Sequence, residues 1–411
     1  MNSSIDVVGG SYAEDCSFPR STIYRGSGMR AACILAGLGN PTTLHTVTGP
    51  GLAGDFEDIA KRKGIALEAT SGTVDVWFRY RHPLAKPDVY PATVPAVTNR
   101  DDVVADHALV FGMMEGRPRV VAKRAVYDPQ DGFRAAPFRA NGSSAEELVV
   151  LASWSEGRAL TGEKTPEMIA TKLLEEDECS AVVIKCGPQG ALVANKTSQK
   201  WIRAFPSERV WKIGSGDVFS AAFTHGWLRE GLSALESAWL ASRTVAEYVG
   251  TRQEKFSTDC LQRVHEEAAA AVATASDTAR ALPNGTIYLA GPFFNTSEQW
   301  LVDEARFALL DMGFKVFSPI HEIGEGPPNI VAPADLFALE NSKLVFALLN
   351  GFDPGTLFEV GYARARGIPV VGLSESTDDR PLTMLLGSGC AISNDFATSV
   401  YAACWQMMGD A

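Results

Sequence analysis

The run Asp353-Pro354-Gly355-Thr356-Leu357-Phe358-Glu359-Val360-Gly361-Tyr362-Ala363 follows closely on the apolar stretch Leu344-Val345-Phe346-Ala347-Leu348-Leu349. Consecutive apolar residues ending in Asn350-Gly351 predict a buried strand and then a turn. From Thr356 onward the pattern predicts a helix, stopped by Gly367 after Ala-Arg-Ala-Arg. Asp353 and Glu359, six residues apart, should then stand near the strand's carboxyl end and in the first turn of the helix. Open α/β sheets hold their ligands there.

Outward from this stretch, short apolar runs alternate with helical patterns along the whole chain. Strand-like runs are Ile5 to Val8, Ala108 to Phe111, Ala181 to Ile184, Thr286 to Ala290 and Pro369 to Leu373. Such alternation predicts parallel sheet covered by helices on both faces. At 411 residues the chain is too long for one ordinary core, and two or three domains are expected. The best boundary is the Ala-rich stretch after His265, which should be helical and is broken at Leu282-Pro283-Asn284-Gly285 before a fresh strand. The reading is a first domain over 1–265, a helical connector over 266–284 and a compact domain over 285–411.

Composition narrows the function. Hydrophobic residues make up 46% and charged residues 21%, ordinary globular values. A formal charge of −12 argues against a nucleic-acid partner, which would need a basic face, but not against a small anion held by a Gly-rich loop. The seven cysteines are single, without a C-x-x-C pair, which suits a reducing compartment and offers no zinc site. No signal peptide is indicated, no apolar run reaches membrane-spanning length, and a cytoplasmic location with no membrane partner is expected. His225 and His321 have no partner pattern and read as non-catalytic.

In the first domain, Trp211-Lys212-Ile213-Gly214-Ser215-Gly216-Asp217 leads into a helical pattern. Glycines there let backbone N–H groups converge on an anion at the positive end of the helix. A neighbouring carboxylate can take a proton from an attacking hydroxyl. Together with Val7-Val8-Gly9-Gly10 and Asp15, Gly26-Ser27-Gly28-Met29-Arg30-Ala31-Ala32, Glu156 before Leu160-Thr161-Gly162, and Lys185-Cys186-Gly187-Pro188-Gln189-Gly190-Ala191, this resembles the ribokinase-like (PfkB) sugar and nucleoside kinases. The resemblance implies Asp217 as base, Gly214 and Gly216 as anion hole, and Gly187 and Gly190 in an ATP site. It further implies Asp15 and Gly26 on the sugar and Glu156 at Mg²⁺. Three positions depart from the family: Trp211-Lys212 replaces Asp-Thr, Ser153 replaces Asn of N-x-x-E, and Arg30 replaces the usual Asn. They imply altered substrate choice or lost turnover.

The second domain is similar to the nucleoside 2-deoxyribosyltransferase family. The likeness rests on Ile287-Tyr288-Leu289-Ala290-Gly291-Pro292-Phe293-Phe294, on Asp335, on D-x-G-T-x-x-E-x-G-Y-A over 353–363, and on Gly367-Ile368-Pro369-Val370-Val371. Cleaving a sugar C1′–N bond builds positive charge at the anomeric carbon, which a carboxylate can stabilise and then capture, while a second acid serves the departing base. The resemblance implies Glu359 as nucleophile, Asp353 and Asp335 on base and sugar hydroxyls, and Tyr288 orienting Glu359. Gly291, Phe293, Phe294 and Met384 would line the substrate site, Met384 through a segment that in this family reaches a neighbouring subunit. An Asn expected in that segment is not clearly present, so transfer and hydrolysis both stay open.

The combined expectation is a ribokinase-like domain followed by a flavodoxin-like, doubly wound parallel-sheet domain. It would cleave or transfer the N-glycosidic bond of a nucleoside or nucleotide, coupled to an ATP- and Mg²⁺-using kinase for sugar or nucleoside. The alternative is a glycosidase gated by a catalytically impaired, nucleotide-binding first domain. No cofactor is expected for glycosyl transfer, and a homo-oligomer is expected.

Overall fold

In the computed structural model the described residues are 4–97, 101–130, 135–278, 284–375 and 380–409; Leu282 and Pro283 of the expected boundary lie outside them. The chain folds as two compact units, Met1–Ser207 with Trp211–Arg280, and Glu208–Val210 with Ala281–Ala411.

The first unit is built on thirteen strands. They are β1 (Ile5–Val8), β2 (Ala13–Cys16), β3 (Ser21–Tyr24), β4 (Thr42–Thr48), β5 (Ala66–Ser71), β6 (Trp77–Tyr80) and β7 (Asp88–Tyr90). The series continues with β8 (Val103–Phe111), β9 (Val120–Asp128), β10 (Ser144–Ser153), β11 (Ala181–Lys185), β12 (Ala191–Asn195) and β13 (Gln199–Ile202). Nine of them form one sheet in the order β13-β12-β11-β10-β9-β8-β1-β4-β5, and β3-β2-β6-β7 form a second, four-stranded sheet. The main sheet is parallel from β11 to β5, and its central strands, such as Leu148–Ala152 and Val182–Ile184, are buried on both faces. The expected parallel sheet is present, and at one edge it is extended by β11-β12-β13 running antiparallel. The loop from Lys185 to Ala191 is too short for a crossover helix, so the chain turns back as a hairpin.

The second unit has a five-stranded, all-parallel sheet of β14 (Thr286–Ala290), β15 (Lys315–Phe317), β16 (Leu344–Leu348), β17 (Val370–Leu373) and β18 (Ala391–Ser393). Its order is β15-β14-β16-β17-β18, so the winding reverses between β14 and β16. This is the doubly wound, flavodoxin-like order, and its ligand crevice lies outside the carboxyl ends of β14 and β16. Tyr288, Ala290, Val345, Ala347 and Leu349 are fully buried in the core beneath that crevice, packed with Val360 and Ala363 of the following helix.

Candidate active site

In the second unit, β16 is followed by Leu349, which donates its N–H to Leu373 O, and a turn through Gly351 (φ 81°) and Phe352 (φ 54°) leads to Asp353. Asp353 is the N-cap of the helix Pro354–Ala365, accepting from Thr356 N at 2.7 Å and Thr356 Oγ1 at 3.0 Å. Both bonds fall on Oδ2, so the remaining oxygen is the one available to a ligand. The helix ends before Gly367, whose φ of 72° is the left-handed stop expected. Glu359 sits in the second turn rather than the first, because Asp353 is the cap and Pro354 opens the helix. One full turn further on, its side chain faces back over the sheet.

There it accepts a 2.6 Å hydrogen bond from the Tyr288 hydroxyl, which rises from the middle of β14. The Tyr288 ring is stacked on Phe317 of β15 at 5.7 Å and 17°, which fixes the direction of the hydroxyl. Burial pushes the Glu359 carboxyl up to about 7; the Tyr288 bond opposes this, and the charges of Asp335 and Asp353 add to it. Tyr288 is raised far above the usual phenol range, by burial first and then by the Glu359 charge, so it stays a donor. Asp335 lies inside the helix Pro328–Glu340, not at its start, and burial raises its carboxyl too. Its Oδ1 is buried without a hydrogen-bond partner. Asp335 and Asp353 both act on Glu359 by their charges, so the three carboxyls form one electrostatic group.

The expected lining is more mixed. Gly291 packs closely on β16: an added Cβ would lie 3.1 Å from the Leu348 side chain, which would have to give by a few tenths of an ångström. Phe293 and Phe294 pack on each other at 5.1 Å, with Phe294 73% exposed, and Met384 is 80% exposed in the helix Thr383–Gly387. Sequence reasoning passed over Asn350 and Glu375, which follow β16 and β17 and join at the same carboxyl edge by bonds of 2.6 and 3.0 Å. Their signal was positional, each standing just beyond a strand end.

In the first unit, Gly214 takes φ 76° as the cap of the helix Ser215–Leu228, with Gly216 and Asp217 in its first turn. Asp217 is not open. Its Oδ2 receives Arg30 Nη1 at 2.8 Å and its Oδ1 receives Gln130 Nε2 at 2.8 Å. Arg30 is 1% exposed and forks onto Glu14 as well, at 2.9 Å through Nη1 and by a second, shorter bond through Nη2. The guanidinium lies directly against Gly214: a Cβ there would fall 2.2 Å from Arg30 Nε. Glu14 also accepts from Gly26 N at 3.1 Å, where the helix Gly26–Gly37 begins with φ 66°. Asp15, the next residue of β2, bonds instead to Thr22 Oγ1 at 2.7 Å. Neighbouring strand residues face opposite ways, so Glu14 and not Asp15 joins Asp217.

Beyond Asp217, the fully buried Asp128 accepts from Lys185 Nζ at 2.6 Å and Ser220 Oγ at 2.5 Å. Burial lowers Lys212 from the usual lysine range, Lys185 lowers it further, and its ammonium bonds Ser215 Oγ at 2.8 Å. Glu156 folds back into a capping box with Ser153, accepting Ser153 N at 2.7 Å. Gly187 (φ 58°) and Gly190 (φ 97°) bracket the tight turn of the β11-β12 hairpin; a Cβ on Gly190 would strike Ile202 O at 2.0 Å.

Comparison with known proteins agrees with this division. Residues 148–278 match the family model for pfkB family carbohydrate kinases, and residues 287–399 match that for nucleoside 2-deoxyribosyltransferases. A 2-dehydro-3-deoxygluconokinase of Bacillus subtilis (strain 168) is 40% identical over 93 residues, 21% of this chain and 28% of that relative, so only about a quarter of the relative's length is spanned. Among solved structures, phosphofructokinase-2 of Escherichia coli in complex with potassium is 14% identical with a TM-score of 0.49, over 65% of this chain and 99% of that one. A pyrophosphate-dependent kinase of the ribokinase family, bound to a pyrophosphate analogue and myo-inositol, gives 14% and 0.44 over 63% and 99%. The pfkB match and the mixed nine-stranded sheet agree with the ribokinase-like fold expected from the sequence.

Proposed function

We propose that the second unit breaks the N-glycosidic bond of a nucleoside or nucleotide through a covalent intermediate on Glu359. One observation carries this: a half-buried carboxyl raised to about 7, bonded to a tyrosine hydroxyl, with two further carboxyls acting on it at a switch point. A Glu359 oxygen attacks C1′ as the C1′–N bond breaks and its electron pair passes to the base, which takes a proton from Asp335 or Asp353. Water or a second base then attacks C1′ and frees the carboxylate. The raised Asp335 carboxyl suits the donor role, because a protonated acid is needed there. The Tyr288 hydrogen bond favours the anionic form of the nucleophile. The exposed Phe294 and Met384 fit a homo-oligomer in which such side chains are covered by a second copy.

The test is to incubate the protein with a panel of nucleosides and nucleotides and resolve bases and sugars by mass. Glu359→Ala should abolish base release with the fold intact. Base release at the wild-type rate from that variant would overturn the assignment.

For the first unit, Arg30 favours the impaired, ligand-binding form over a working kinase. Both Asp217 oxygens already accept a hydrogen bond, Oδ2 from a buried guanidinium, which competes with a substrate hydroxyl for the carboxylate. The residues left fit MgATP poorly, since Glu156 is turned into its cap and the guanidinium lies on Gly214. Lys185 and Lys212 still suit the phosphates of a nucleotide held without turnover. ADP formation by the wild-type chain with any sugar or nucleoside acceptor would refute this reading. Tight nucleotide binding without ADP, and ADP appearing only in Arg30→Asn, would support it.

A further inference from the structure

We propose that His225, Glu230 and His265 form a binding site for a divalent transition-metal ion of the zinc class on the first unit. The three belong to different pieces of chain. His225 is in the last turn of the helix Ser215–Leu228, Glu230 lies just past its end, and His265 is in the helix Thr258–Ala271. Their ligand atoms all lie within 4.8 Å of one another. Both imidazole Nε2 atoms converge on one carboxylate oxygen, Glu230 Oε1, at 2.9 Å from His225 and 2.8 Å from His265.

Two imidazoles and a carboxylate are the donor set of an open, three-ligand zinc site, with the fourth position left to water. In a tetrahedral site with metal–ligand bonds of 2.0–2.1 Å, ligand atoms stand about 3.3 Å apart. The two nitrogen–oxygen separations therefore need to open by only about 0.5 Å to admit an ion, with the two imidazole nitrogens already within 4.8 Å of each other. His225 is 12% exposed, Glu230 28% and His265 40%, so the pocket is walled on one side and open to solvent on the other.

The partners behind the ligands strengthen the inference. A metal on Nε2 requires each Nδ1 to carry its proton and find an acceptor. Leu261 O stands 2.7 Å from His265 Nδ1, and only a protonated Nδ1 can satisfy a carbonyl. Asn40 faces His225 Nδ1 with both its amide nitrogen, at 3.0 Å, and its oxygen, at 3.2 Å, so it partners this ring nitrogen in either tautomer. The Leu261 carbonyl thus prepares the His265 ring for a bond through Nε2, and Asn40 holds the His225 ring in place. None of these residues takes part in the glycosyl chemistry proposed above, and the ion would tie the helix Thr258–Ala271 to the end of the helix that begins at Gly214.

The test uses the full chain stripped with a chelator, titrated with Zn(II) by calorimetry and with Co(II) by its visible ligand-field bands. One ion per chain is expected, with a four-coordinate Co(II) spectrum. Uptake should be lost in His265→Gln and in Glu230→Gln, both at exposed positions that leave the core intact. Asn40→Ala should weaken binding by about 10- to 100-fold. No saturable uptake at micromolar metal, or undiminished uptake by the His265→Gln, Glu230→Gln double variant, would overturn the proposal.

Discussion

Tyr288→Phe removes one oxygen and nothing else from the centre of the second unit. The ring stays buried against Phe317, so the stacking that fixes its position survives. What disappears is a 2.6 Å hydrogen bond to Glu359, the one influence that lowers a carboxyl otherwise driven up by burial and by Asp335 and Asp353. A hydrogen bond to a charged acceptor contributes about 1.5–3 kcal/mol, which at 1.36 kcal/mol per tenfold change in ionisation moves a titration by about one to two pH units. Starting from about 7, the variant's Glu359 should ionise only near pH 8 to 9. At pH 7 the anionic fraction then falls from about a half to between about 1% and 10%, a loss of roughly 5- to 50-fold in kcat/KM, and alkaline buffer should recover most of it. The assay is kcat/KM for base release from pH 5.5 to 10, which reports the free protein's ionisations. An acid limb that stays put, or moves to lower pH, would refute the coupling; a deficit of the same size at every pH would mean that Tyr288 serves only to position Glu359.

Glu359→Gln should change how stability depends on pH. A glutamate raised from 4.5 to about 7 binds its proton more tightly in the folded state, so its destabilising effect is absent below 4.5, grows as pH rises and is complete above 7. Relative to wild type, the variant should therefore gain about 2 to 3 kcal/mol between pH 5 and 8.5 in urea unfolding of the second unit; no change in the difference would contradict the raised carboxyl. Asp353→Ala loses a helix cap and should cost about 1 kcal/mol, whereas Asp353→Asn keeps the cap, so full base release by the Asn variant would confine Asp353 to structure. Arg30→Met strands the buried Glu14 and Asp217 without their cation and should destabilise the first unit by about 3–5 kcal/mol in a denaturant titration; a loss below about 1 kcal/mol would mean that the cluster is wet rather than buried.

What the sequence made legible follows from how far apart in the chain the interacting groups lie. Asp353 and Glu359 are joined by one turn and the start of one helix, so residue types and spacing were enough to put them at the same sheet edge. The strand before them announced itself by an unbroken apolar run, because both faces of β16 are covered. Tyr288 reaches Glu359 only because β14 and β16 are neighbours, a fact of strand order that a linear reading obtains only through family likeness. In the first unit the error was one of parity. Asp15 and Glu14 are both acidic and adjacent, and only the pairing of β2 with β3 and β6 decides which faces Arg30. Arg30 itself was visible as a departure, but not its consequence: Glu14, Arg30, Gln130 and Asp217 span most of the unit and meet only when it folds. His225 looked partnerless for the same reason, since Asn40 and His265 come from distant segments and Glu230 turns back only past the end of its own helix. Side chains that converge across segments leave no periodic trace, so the first unit's polar clusters were hidden where the second unit's Asp353 and Glu359 were plain.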